Sequence, residues 1–339
     1  MKIGLTYDLK DDYKDAGLDL ETIAELDTID TVEGIEAALQ AIGLETVRIG
    51  HIKNLVIKLA AGERWDLVFN ITEGLYGVAR EAQVPALLEA YQIPCTFSDA
   101  AAMSLMLDKG MTKLALREHG IATAPFKVVK SASDLADINL PYPLFAKPLA
   151  EGTGKGINAK SRIENAAQLK ATCEHLLQRF NQPVLVETFL PGREFTVGML
   201  GMSETTHVIG IMEIVVAEKQ GAGNYGYANK TDWFDHISYH LLDQKKEPAL
   251  FKAVHAIAIA SWNALNCRDG GRLDIRCDEN GVPHVLEINP LAGLRPGFSD
   301  LVVLCGMAGM DHPALIRNIV METLRRHGLH LPERQHAAA

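Results

Sequence analysis

The chain has 339 residues, which is long enough for two or three domains with large buried cores. A hydrophobic fraction of 47% and a charged fraction of 22% are typical of a globular protein. The net charge of −10 argues against nucleic acid or an anionic membrane as the main partner, although a small anionic ligand would need only a local basic site.

Cysteine usage and hydropathy indicate the compartment. The five cysteines are odd in number and show no C-x-x-C spacing, which favours reduced thiols over a disulfide framework. No apolar run is as long as a membrane span, and the N-terminus enters a strand pattern without the apolar stretch of a signal peptide. We therefore expect a cytoplasmic protein that makes no membrane contact.

Strands and helices alternate through residues 1–98. The patterns predict strands at 2–7, 45–49, 66–71 and 94–97, and helices at 31–42, 52–61 and 83–91. Such alternation implies a doubly wound parallel sheet, whose ligands bind where the strands end. Asp8 and Glu73 follow two of these strands and Glu81 lies nearby, so these three carboxylates are candidate substrate ligands.

The alternation ends near Ser98, where we place a domain boundary. A central part, 99–184, contains the segment Asp108 to Lys113 and predicted strands at 126–129 and 143–147 around a helix near 133–138. A last part, 185–330, contains predicted strands at 195–200 and 207–215, a polar Gly-rich loop at 220–229 followed by Lys230, and predicted helices at 248–266, 299–308 and 312–327.

The segment 147–156, KPLAEGTGKG, has the composition of a phosphate-binding loop. Its glycines let backbone N–H groups approach phosphate oxygens, and Lys147 and Lys155 add positive charge. Predicted strands at 144–147 and 157–160 flank it. The spacing is not that of a Walker P-loop and no helix follows. A flexible hairpin tip would have a similar composition.

Residues 270–293, GGRLDIRCDENGVPHVLEINPLAG, predict a β-hairpin with a type I′ turn at Asn280-Gly281. Counting from this turn places Asp274 opposite Glu287 and Arg272 opposite Asn289. A strand repeats every two residues, so these four side chains share one face. The other face is predicted to be core and carries Leu273, Ile275, Leu286 and Ile288.

Two carboxylates directly opposite each other repel, so a protein that keeps them is expected to hold a cation there. Oxygen ligands from Asp274, Glu287 and Asn289 suit Mg²⁺ held partly by phosphates. Arg272 is always charged and suits an anion or an oxyanion. Taken alone, the hairpin is also compatible with a surface salt bridge or with a glycosidase carboxylate pair.

Together these features resemble the ATP-grasp superfamily and, within it, the D-alanine–D-alanine ligases. The resemblance runs from about Asp66 to His327. Its specific parts are the 108–113 segment, Lys147-Pro148 with its Gly-rich hairpin, Glu187 with Gly192-x-Glu194, and the Arg272-x-Asp274 and Glu287-x-Asn289 pairs. Four motifs in this order favour the resemblance over a surface hairpin or a glycosidase.

The resemblance implies a mixed α/β (α+β) chain with the ATP-grasp fold. An N-terminal doubly wound parallel-sheet domain, 1–98, would precede two antiparallel-sheet subdomains, 99–184 and 185–330, that sandwich ATP. It implies contacts from Lys109 and Lys147 to phosphates, from Glu187 to the adenine amine and from Glu194 to the ribose. The implied ATP-binding residues are Lys109, Lys147, Gly152, Gly154, Glu187, Phe189 and Glu194.

The resemblance also implies the remaining chemistry. Asp274, Glu287 and Asn289 would hold two Mg²⁺ ions, with Mn²⁺ as a possible substitute. The catalytic residues would be Arg272 at the oxyanion, Lys230 in a loop closing over the γ-phosphate, and Thr153. ATP would phosphorylate a carboxylate and an amine would attack the acylphosphate, so the partners would be small molecules and the enzyme a homodimer.

The chain departs from the family pattern around the amino-acid pocket. The first strand ends Thr6-Tyr7-Asp8 rather than in a glycine pair followed by a serine and a glutamate, and Gly152-Thr153-Gly154 replaces a double serine. Asp8, Glu73 or Glu81 could hold a substrate ammonium, Arg80 an acidic group, and Gly293 and Ser299 are further candidates. A ligase for other amino acids or amines, or a non-catalytic ATP-binding protein, therefore stays open.

Overall fold

The N-terminal sheet is parallel, as predicted. The computed structural model describes residues 1–216 and 237–331, and within them the first sheet has the strand order β2-β1-β3. Its strands are β1 (Lys2–Tyr7), β2 (Glu45–Gly50) and β3 (Leu67–Ile71). The accompanying helices are α1 (Ile29–Ala41), α2 (Ile52–Ala60) and α3 (Gln83–Ala90). The strand predicted at 94–97 is only a bridge between Val68 and Cys95.

Apolar side chains cover both faces of this sheet. Phe69 belongs to the same buried cluster as Ile35 and Leu39 of α1. Val68, the preceding residue, belongs to a second cluster with Leu55 of α2. Because neighbouring residues of a strand point to opposite faces, helices pack on both sides of the sheet. Polar residues are left for the carboxyl edge, where Asp8 and Glu73 lie.

The central sheet is antiparallel and has the order β4-β7-β5-β6. Its strands are β4 (Phe126–Val129), β5 (Leu144–Pro148), β6 (Arg162–Ile163) and β7 (Val184–Thr188). Helices α4 (Ala100–Leu107) and α5 (Lys109–Glu118) precede it. Helix α6 (Ala166–Phe180) covers one face, where Leu169 and Cys173 join Ala146 and Val186 in a buried cluster.

In this region one predicted strand is wrong, and one predicted helix has 3-10 geometry. Residues 157–160 form no strand; a 3-10 helix, Ala159–Ser161, lies there instead. The Asn158 side chain accepts a hydrogen bond from Lys160 N at 2.9 Å, which offers the backbone a local alternative to a sheet ladder. The helix expected near 133–138 is a 3-10 helix, Ala132–Asp137. The domain boundaries stay predictions, although β7 extends the central sheet past residue 184.

The C-terminal sheet is also antiparallel and has the order β10-β9-β8-β11-β12. Its strands are β8 (Glu194–Leu200), β9 (His207–Val216), β10 (Ile237–Leu241), β11 (Gly270–Cys277) and β12 (Pro283–Asn289). The helices of this part are α7 (Pro248–Ala264), α8 (Asp300–Met307) and α9 (His312–Arg326). In the described residues, no helix combines the length and hydropathy needed to cross a membrane.

The β11–β12 hairpin has the predicted functional face but a different turn. Asp274 pairs with Glu287 and Arg272 with Asn289, as expected. The turn is not type I′, because Gly281 has a positive φ of 79° and Asn280 does not. Gly281 N donates to Asp278 O at 3.1 Å and Asp278 N to Val282 O at 2.9 Å, which closes a three-residue loop.

A β-bulge restores the register that the longer loop would shift. The pairing passes from Asp274–Glu287 to Ile275–Val285, so Leu286 is the extra residue on β12. We predicted Leu286 in the core, and this is wrong. Val285 is fully buried in its place, whereas Leu286 lines a cavity between two sheets.

The N-terminal sheet and the C-terminal helices share one hydrophobic core. Ile316 and Ile319 of α9 belong to the same buried cluster as Ile35 and Leu39 of α1. Asp269 is fully buried where these parts meet. Its carboxylate accepts hydrogen bonds from Phe97 N at 2.7 Å, from Thr323 Oγ1 at 2.7 Å and from Arg326 Nε at 3.0 Å.

Removing this carboxylate should destabilise the fold. We expect Asp269→Ala to lower the free energy of unfolding by about 3–5 kcal/mol, because it leaves the mostly buried Arg326 guanidinium without its counter-ion. Urea unfolding measures the change. Asp243→Ala removes an exposed partner of Lys246 and is the control, expected to cost about 1 kcal/mol or less. Equal losses of unfolding free energy in the two variants would contradict the role of Asp269 as the buried counter-ion of Arg326.

Candidate active site

Two adjoining cavities open between the three sheets. The first, the intersheet cavity, is lined by Phe145, Lys147 and Glu187 of the central sheet and by Glu194, Arg272 and Asp274 of the C-terminal sheet. The second, the distal cavity, is lined by Glu25, Asp27, Glu73, Glu81, Gly293 and Ser299. Lys109, Thr153, Arg272 and Glu287 line both cavities, so these residues mark the junction.

Glu187 lies between two lysines at one end of the intersheet cavity. Its carboxylate is 2.8 Å from Lys113 Nζ and 3.2 Å from Lys147 Nζ, and all three side chains are buried. Burial acts to raise the pKa of the Glu187 carboxyl, but the two ammonium charges outweigh burial and hold this pKa below its usual value. Lys113 also donates to Thr123 Oγ1 at 2.6 Å. The two lysines therefore keep Glu187 ionised and hold its carboxylate in place.

Glu194 and Phe189 line the same cavity. Arg276 lies two residues along the strand from Asp274, on the same face, and its Nη1 contacts Glu194 Oε2 at 3.0 Å. The guanidinium of Arg276 also lies 5.2 Å from the centre of the Phe189 ring. Burial raises the pKa of the Glu194 carboxyl despite Arg276. The sequence reasoning missed Arg276, although the period of the strand places it beside Asp274.

Asp274 is enclosed by hydrogen-bond donors on the hairpin face. It accepts from Thr196 Oγ1 at 2.8 Å, from Arg272 Nη1 at 3.1 Å and from Asn289 Nδ2 at 3.2 Å. Burial raises the pKa of its carboxyl to about 7 against the opposing effect of Arg272, and the Glu287 and Asp300 carboxylates add to the rise. Burial is thus the main reason that the Asp274 carboxyl resists ionisation.

Glu287 faces the cations of other elements. Lys109 Nζ lies 3.3 Å from Glu287 Oε2 and donates to Glu151 O at 2.6 Å. Burial acts to raise the pKa of the Glu287 carboxyl. The positive charges of Lys109, Lys147 and Arg272 outweigh burial and hold this pKa well below its usual value. Glu287 is therefore ionised at neutral pH.

The donor set on the hairpin fits a hard divalent cation. Asp274, Glu287 and Asn289 offer oxygen ligands, and β-strand pairing brings them together. Among the described residues, no three His, Cys, Asp or Glu side chains converge as a metal-binding group. The candidate set is thus two carboxylates and one amide. Such a set suits Mg²⁺, which takes its other ligands from water or phosphate oxygens.

The Gly-rich segment divides between the two cavities. Thr153 and Gly154 line the intersheet cavity, with positive φ values of 54° and 71°. Gly152 lines only the distal cavity, and its N–H donates to Glu25 Oε1 at 2.5 Å. Of the residues predicted to contact phosphate here, Thr153 and Gly154 thus lie at the cavity wall, whereas the N–H of Gly152 has a protein partner.

The distal cavity contains most of the candidate substrate ligands. Glu73 and Glu81 line it, together with Gly293 and Ser299. Burial is the main cause that raises the pKa of the Glu81 carboxyl to about 7, and burial also raises the pKa of the Glu73 carboxyl well above its usual value. In the part of the chain that the structure describes, neither carboxylate forms an ion pair.

Asp8 lies outside both cavity walls. It is buried, and its carboxylate accepts hydrogen bonds from Gly74 N at 2.9 Å and Tyr13 Oη at 3.0 Å. Two carboxylates that line the distal cavity, Glu25 and Asp27, were missed. They lie in the long connection between β1 and α1, where no hydrophobic period reveals which side chains point inward. Lys230 and the 220–230 loop lie outside the described residues.

Comparison with known proteins identifies the family. A family model described as D-ala D-ala ligase C-terminus matches residues 115–321. A D-alanine–D-alanine ligase of Bordetella petrii is 30% identical over 305 residues, which cover 89% of this chain and 88% of the relative. The chain belongs to the D-alanine–D-alanine ligase family.

Two further comparisons extend this result. The uncharacterized protein y4sG of Sinorhizobium fredii is 30% identical over 307 residues, covering 87% of this chain and 88% of that protein. A crystal structure of the D-alanine–D-alanine ligase of Bacillus anthracis complexed with ATP has a TM-score of 0.73 at 22% identity, and covers 97% of this chain and 99% of its own. The predicted ATP-grasp fold is thereby confirmed.

Membership of the D-alanine–D-alanine ligase family also confirms the predicted enzyme class. The protein is an ATP-dependent ligase that forms C–N bonds, and the alternative of a non-catalytic ATP-binding protein is disfavoured. The polar residues at the junction of the two cavities agree with this class, since Lys109, Arg272 and Glu287 are all in place. The residue roles implied by the family stay proposals.

The buried Lys113 should matter for stability in a pH-dependent way. We expect Lys113→Met to cost about 3–5 kcal/mol at pH 7, because Glu187 then stays buried with one counter-ion fewer. The depressed pKa of Glu187 stabilises the fold above its ordinary value of 4.5, and this contribution is lost as the pH falls below it. The cost should therefore be smaller at pH 4.

Urea unfolding of wild type and variant at both pH values measures this difference. Lys127→Met, on the exposed side of β4, is the control and should change little at either pH. A cost for Lys113→Met that is the same at pH 4 and pH 7 would show that the Glu187 charge is not the cause.

Proposed function

We propose that this protein joins the carboxylate of one amino acid to the amine of a second, as a D-alanine–D-alanine ligase does. The observation that carries the proposal is the junction of the two cavities. There Arg272, Glu287 and Lys109 line both the cavity that suits a nucleotide and the cavity that suits an ammonium-bearing substrate. A carboxylate at this junction would meet the γ-phosphate of ATP.

The proposed reaction has two steps. A carboxylate oxygen of the first substrate attacks the γ-phosphorus of ATP, the bond to the β-phosphate oxygen breaks, and ADP leaves. The amine of the second substrate then attacks the acyl carbon, phosphate leaves with the electron pair of the C–O bond, and the nitrogen loses a proton. No covalent bond to the protein is required, so the protein contributes positioning and charge neutralisation.

The intersheet cavity is proposed to hold ATP. Lys109 and Lys147 bring positive charge to the phosphates, and the N–H groups of Thr153 and Gly154 approach them. Glu187 is proposed to accept a hydrogen bond from the adenine amine, since its two lysine partners keep it ionised. Phe189 offers an apolar face to the base, and Glu194 is proposed to bind the ribose. By family resemblance Lys230 would reach the γ-phosphate.

Asp274, Glu287 and Asn289 are the residues that would hold Mg²⁺. A bound Mg²⁺ ion supplies Lewis-acid charge that offsets the negative phosphate oxygens. The raised pKa of Asp274 supports this assignment. Burial and two neighbouring carboxylates oppose ionisation of this carboxyl, and a bound cation would stabilise its ionised form. Two ions are proposed, as the family resemblance implies.

Arg272 is proposed to stabilise the oxyanion that forms when the amine attacks. Its guanidinium contacts Asp274 and Asp300 at 3.1 Å each, which fixes its orientation toward the junction. A preoriented cation is effective at this step because it needs no reorganisation as charge develops. In the distal cavity, Glu73 and Glu81 are proposed to receive the ammonium group of the first substrate.

A cytoplasmic homodimer is proposed as the working form. The cysteines of the described residues are free thiols, four of them buried, which agrees with a reducing compartment. Val56 and Ile57 on α2 are 49% and 66% exposed and offer an apolar surface to a second copy. Light scattering of the purified protein measures the oligomeric state, and fractionation of cells measures the compartment.

Substrate choice tests the proposal as a whole. We expect ADP release when ATP, Mg²⁺ and a suitable amino acid are present, screened with each D- and L-amino acid singly and in pairs. Glu73→Gln should raise the KM for the first amino acid by about tenfold or more, because it removes a charged partner of the ammonium. Asp8→Asn, outside the cavity wall, should leave KM unchanged. Absence of ADP release with every pair would refute the proposed function.

Loss of one metal-facing carboxylate should abolish turnover. We expect Glu287→Gln to form no measurable ADP while staying folded, because a charge is removed where a metal ion must be held between phosphates. Thermal unfolding with and without Mg²⁺ and ATP checks folding and binding separately. Near-normal turnover in this variant would exclude Glu287 as a metal ligand.

The proposed oxyanion role of Arg272 predicts a loss of catalytic rate without a loss of ATP binding. We expect Arg272→Ala to lower kcat by about 10²–10³, as removal of an oxyanion donor does, while ATP still binds. Steady-state kinetics and nucleotide titration measure the two effects. A change confined to ATP affinity would identify Arg272 as a phosphate ligand instead.

A further inference from the structure

Arg80 lies in the N-terminal part of the chain but contacts the Gly-rich segment of the central part. It begins a 3-10 helix, Arg80–Ala82, and its side chain is 8% exposed. Nη1 donates to Ala150 O at 2.9 Å, and Nη2 donates to Glu25 Oε2 at 3.0 Å. The sequence suggested Arg80 as a partner for an acidic group on a substrate. That interpretation stays a prediction; in the structure the guanidinium contacts protein groups, and Arg80 is not part of the distal cavity wall.

Glu25 continues the connection from Arg80 to the loop. Its second oxygen accepts the hydrogen bond from Gly152 N at 2.5 Å, and Lys155 Nζ lies 3.2 Å from Oε2. Lys155 in turn contacts Glu151 Oε2 at 2.9 Å. Burial acts to raise the pKa of the Glu25 carboxyl, but Arg80 and Lys155 hold it below its usual value. Glu25 is thus a charged link between two parts of the chain.

These contacts leave the middle of the loop facing the intersheet cavity. Ala150 and Gly152 are fixed on one side and Lys155 on the other, so Thr153 and Gly154 form the tip between them. Thr153 has a φ of 54°, a left-handed conformation that costs a non-glycine residue free energy. Such a conformation persists where the surroundings impose it, as the contacts on both sides do here.

Stabilisation of the fold does not explain why this cluster consists of charged side chains. Glu25, Arg80, Glu151 and Lys155 bury two negative and two positive side chains, all at most 14% exposed. Apolar residues of similar volume would stabilise a junction equally well or better, because charged groups lose hydration on burial. What the charged side chains add is directional hydrogen bonding, because Arg80 fixes the Ala150 carbonyl and Glu25 fixes the Gly152 N–H.

We propose that Arg80 is a positioning residue for the Gly-rich loop, and that through Glu25 and the Ala150 carbonyl it holds Thr153 and Gly154 where ATP phosphates bind. The inference rests on the proposed function, since it takes the intersheet cavity to be the ATP site. It assigns to the N-terminal part an indirect influence on phosphoryl transfer, since no residue of 1–98 lines the intersheet cavity.

The effect should be confined to the phosphates. We expect Arg80→Met to lower the preference for the non-hydrolysable ATP analogue AMPPNP with Mg²⁺ over AMP by about tenfold, because misplaced N–H groups no longer meet the phosphates. The affinity for AMP should stay within twofold of wild type, since adenine and ribose bind elsewhere. Calorimetric titration of both nucleotides measures this ratio without any amino-acid substrate.

Two further variants control the experiment. Arg80→Lys keeps the charge but loses the planar fork that reaches Glu25 and Ala150 together, so its preference should lie between those of wild type and Arg80→Met. Arg48→Met removes a more exposed Arg–Glu pair that joins β2 to α1 in the same N-terminal part, and it should change neither affinity. If thermal unfolding shows that Arg80→Met does not fold, the nucleotide preference of Arg80→Lys is the test of the proposal.

The outcomes separate this inference from the proposed function. A wild-type nucleotide preference in folded Arg80 variants overturns the positioning role, and so does an equal loss of AMP and AMPPNP affinity, which a general structural role would give. A wild-type protein that binds neither nucleotide refutes the ATP site itself. In turnover, a kcat lowered by about 10–10² with an unchanged KM for the amino acids supports positioning.

Discussion

Asp274 and Glu287 stand opposite each other on two paired strands, so one face of the hairpin carries two negative charges that the rest of the site must balance. Two of the balancing cations come from other elements, Lys109 from α5 and Lys147 from β5, and the third, Arg272, lies on the hairpin itself. The central sheet and the C-terminal sheet therefore meet through attraction between buried charges as well as through packing. Burial, with the Glu287 and Asp300 carboxylates, still raises the pKa of Asp274, which is why the proposed function places a cation beside it.

The N-terminal part takes a direct part in this arrangement. It shares a hydrophobic core with α8 and α9, and the buried Asp269 joins its last residues to the C-terminal helix. It also supplies Glu25 and Arg80, which contact the Gly-rich loop. A region whose sequence departs from the family pattern thus contacts the Gly-rich loop, whose Thr153 and Gly154 line the intersheet cavity. The other motifs that line that cavity follow the family pattern.

The wall of the distal cavity carries several carboxylates that the family motifs do not include. Its wall carries Glu73 and Glu81 without ion-pair partners among the described residues, next to Glu25, whose charge Arg80 and Lys155 already balance. The proposed function therefore assigns the substrate ammonium group to Glu73 and Glu81 rather than to Glu25, because the charge of Glu25 is already balanced.

The sequence by itself determined the parallel N-terminal sheet and the functional face of the hairpin, and the family resemblance implied the two antiparallel sheets. Period-two alternation in β11 and β12 is local, so the pairing of Asp274 with Glu287 could be counted from the turn. The count succeeded even though the turn was assigned wrongly, because a bulge at Leu286 compensates for the longer loop. Strand-forming residues do not reveal a bulge, since it depends on how the partner strands twist and pack.

Only the tertiary structure decided which charged residues of the connections reach the site. Glu25 and Arg80 have no periodic pattern around them that distinguishes an inward from an outward side chain. Their partners lie far away in the chain: Glu25 bonds to Gly152, and Arg80 bonds to Ala150. Interactions over such separations follow from how the sheets pack on one another. Local periodicity carries no information about that packing, whereas it does specify the strands whose ends carry the chemistry.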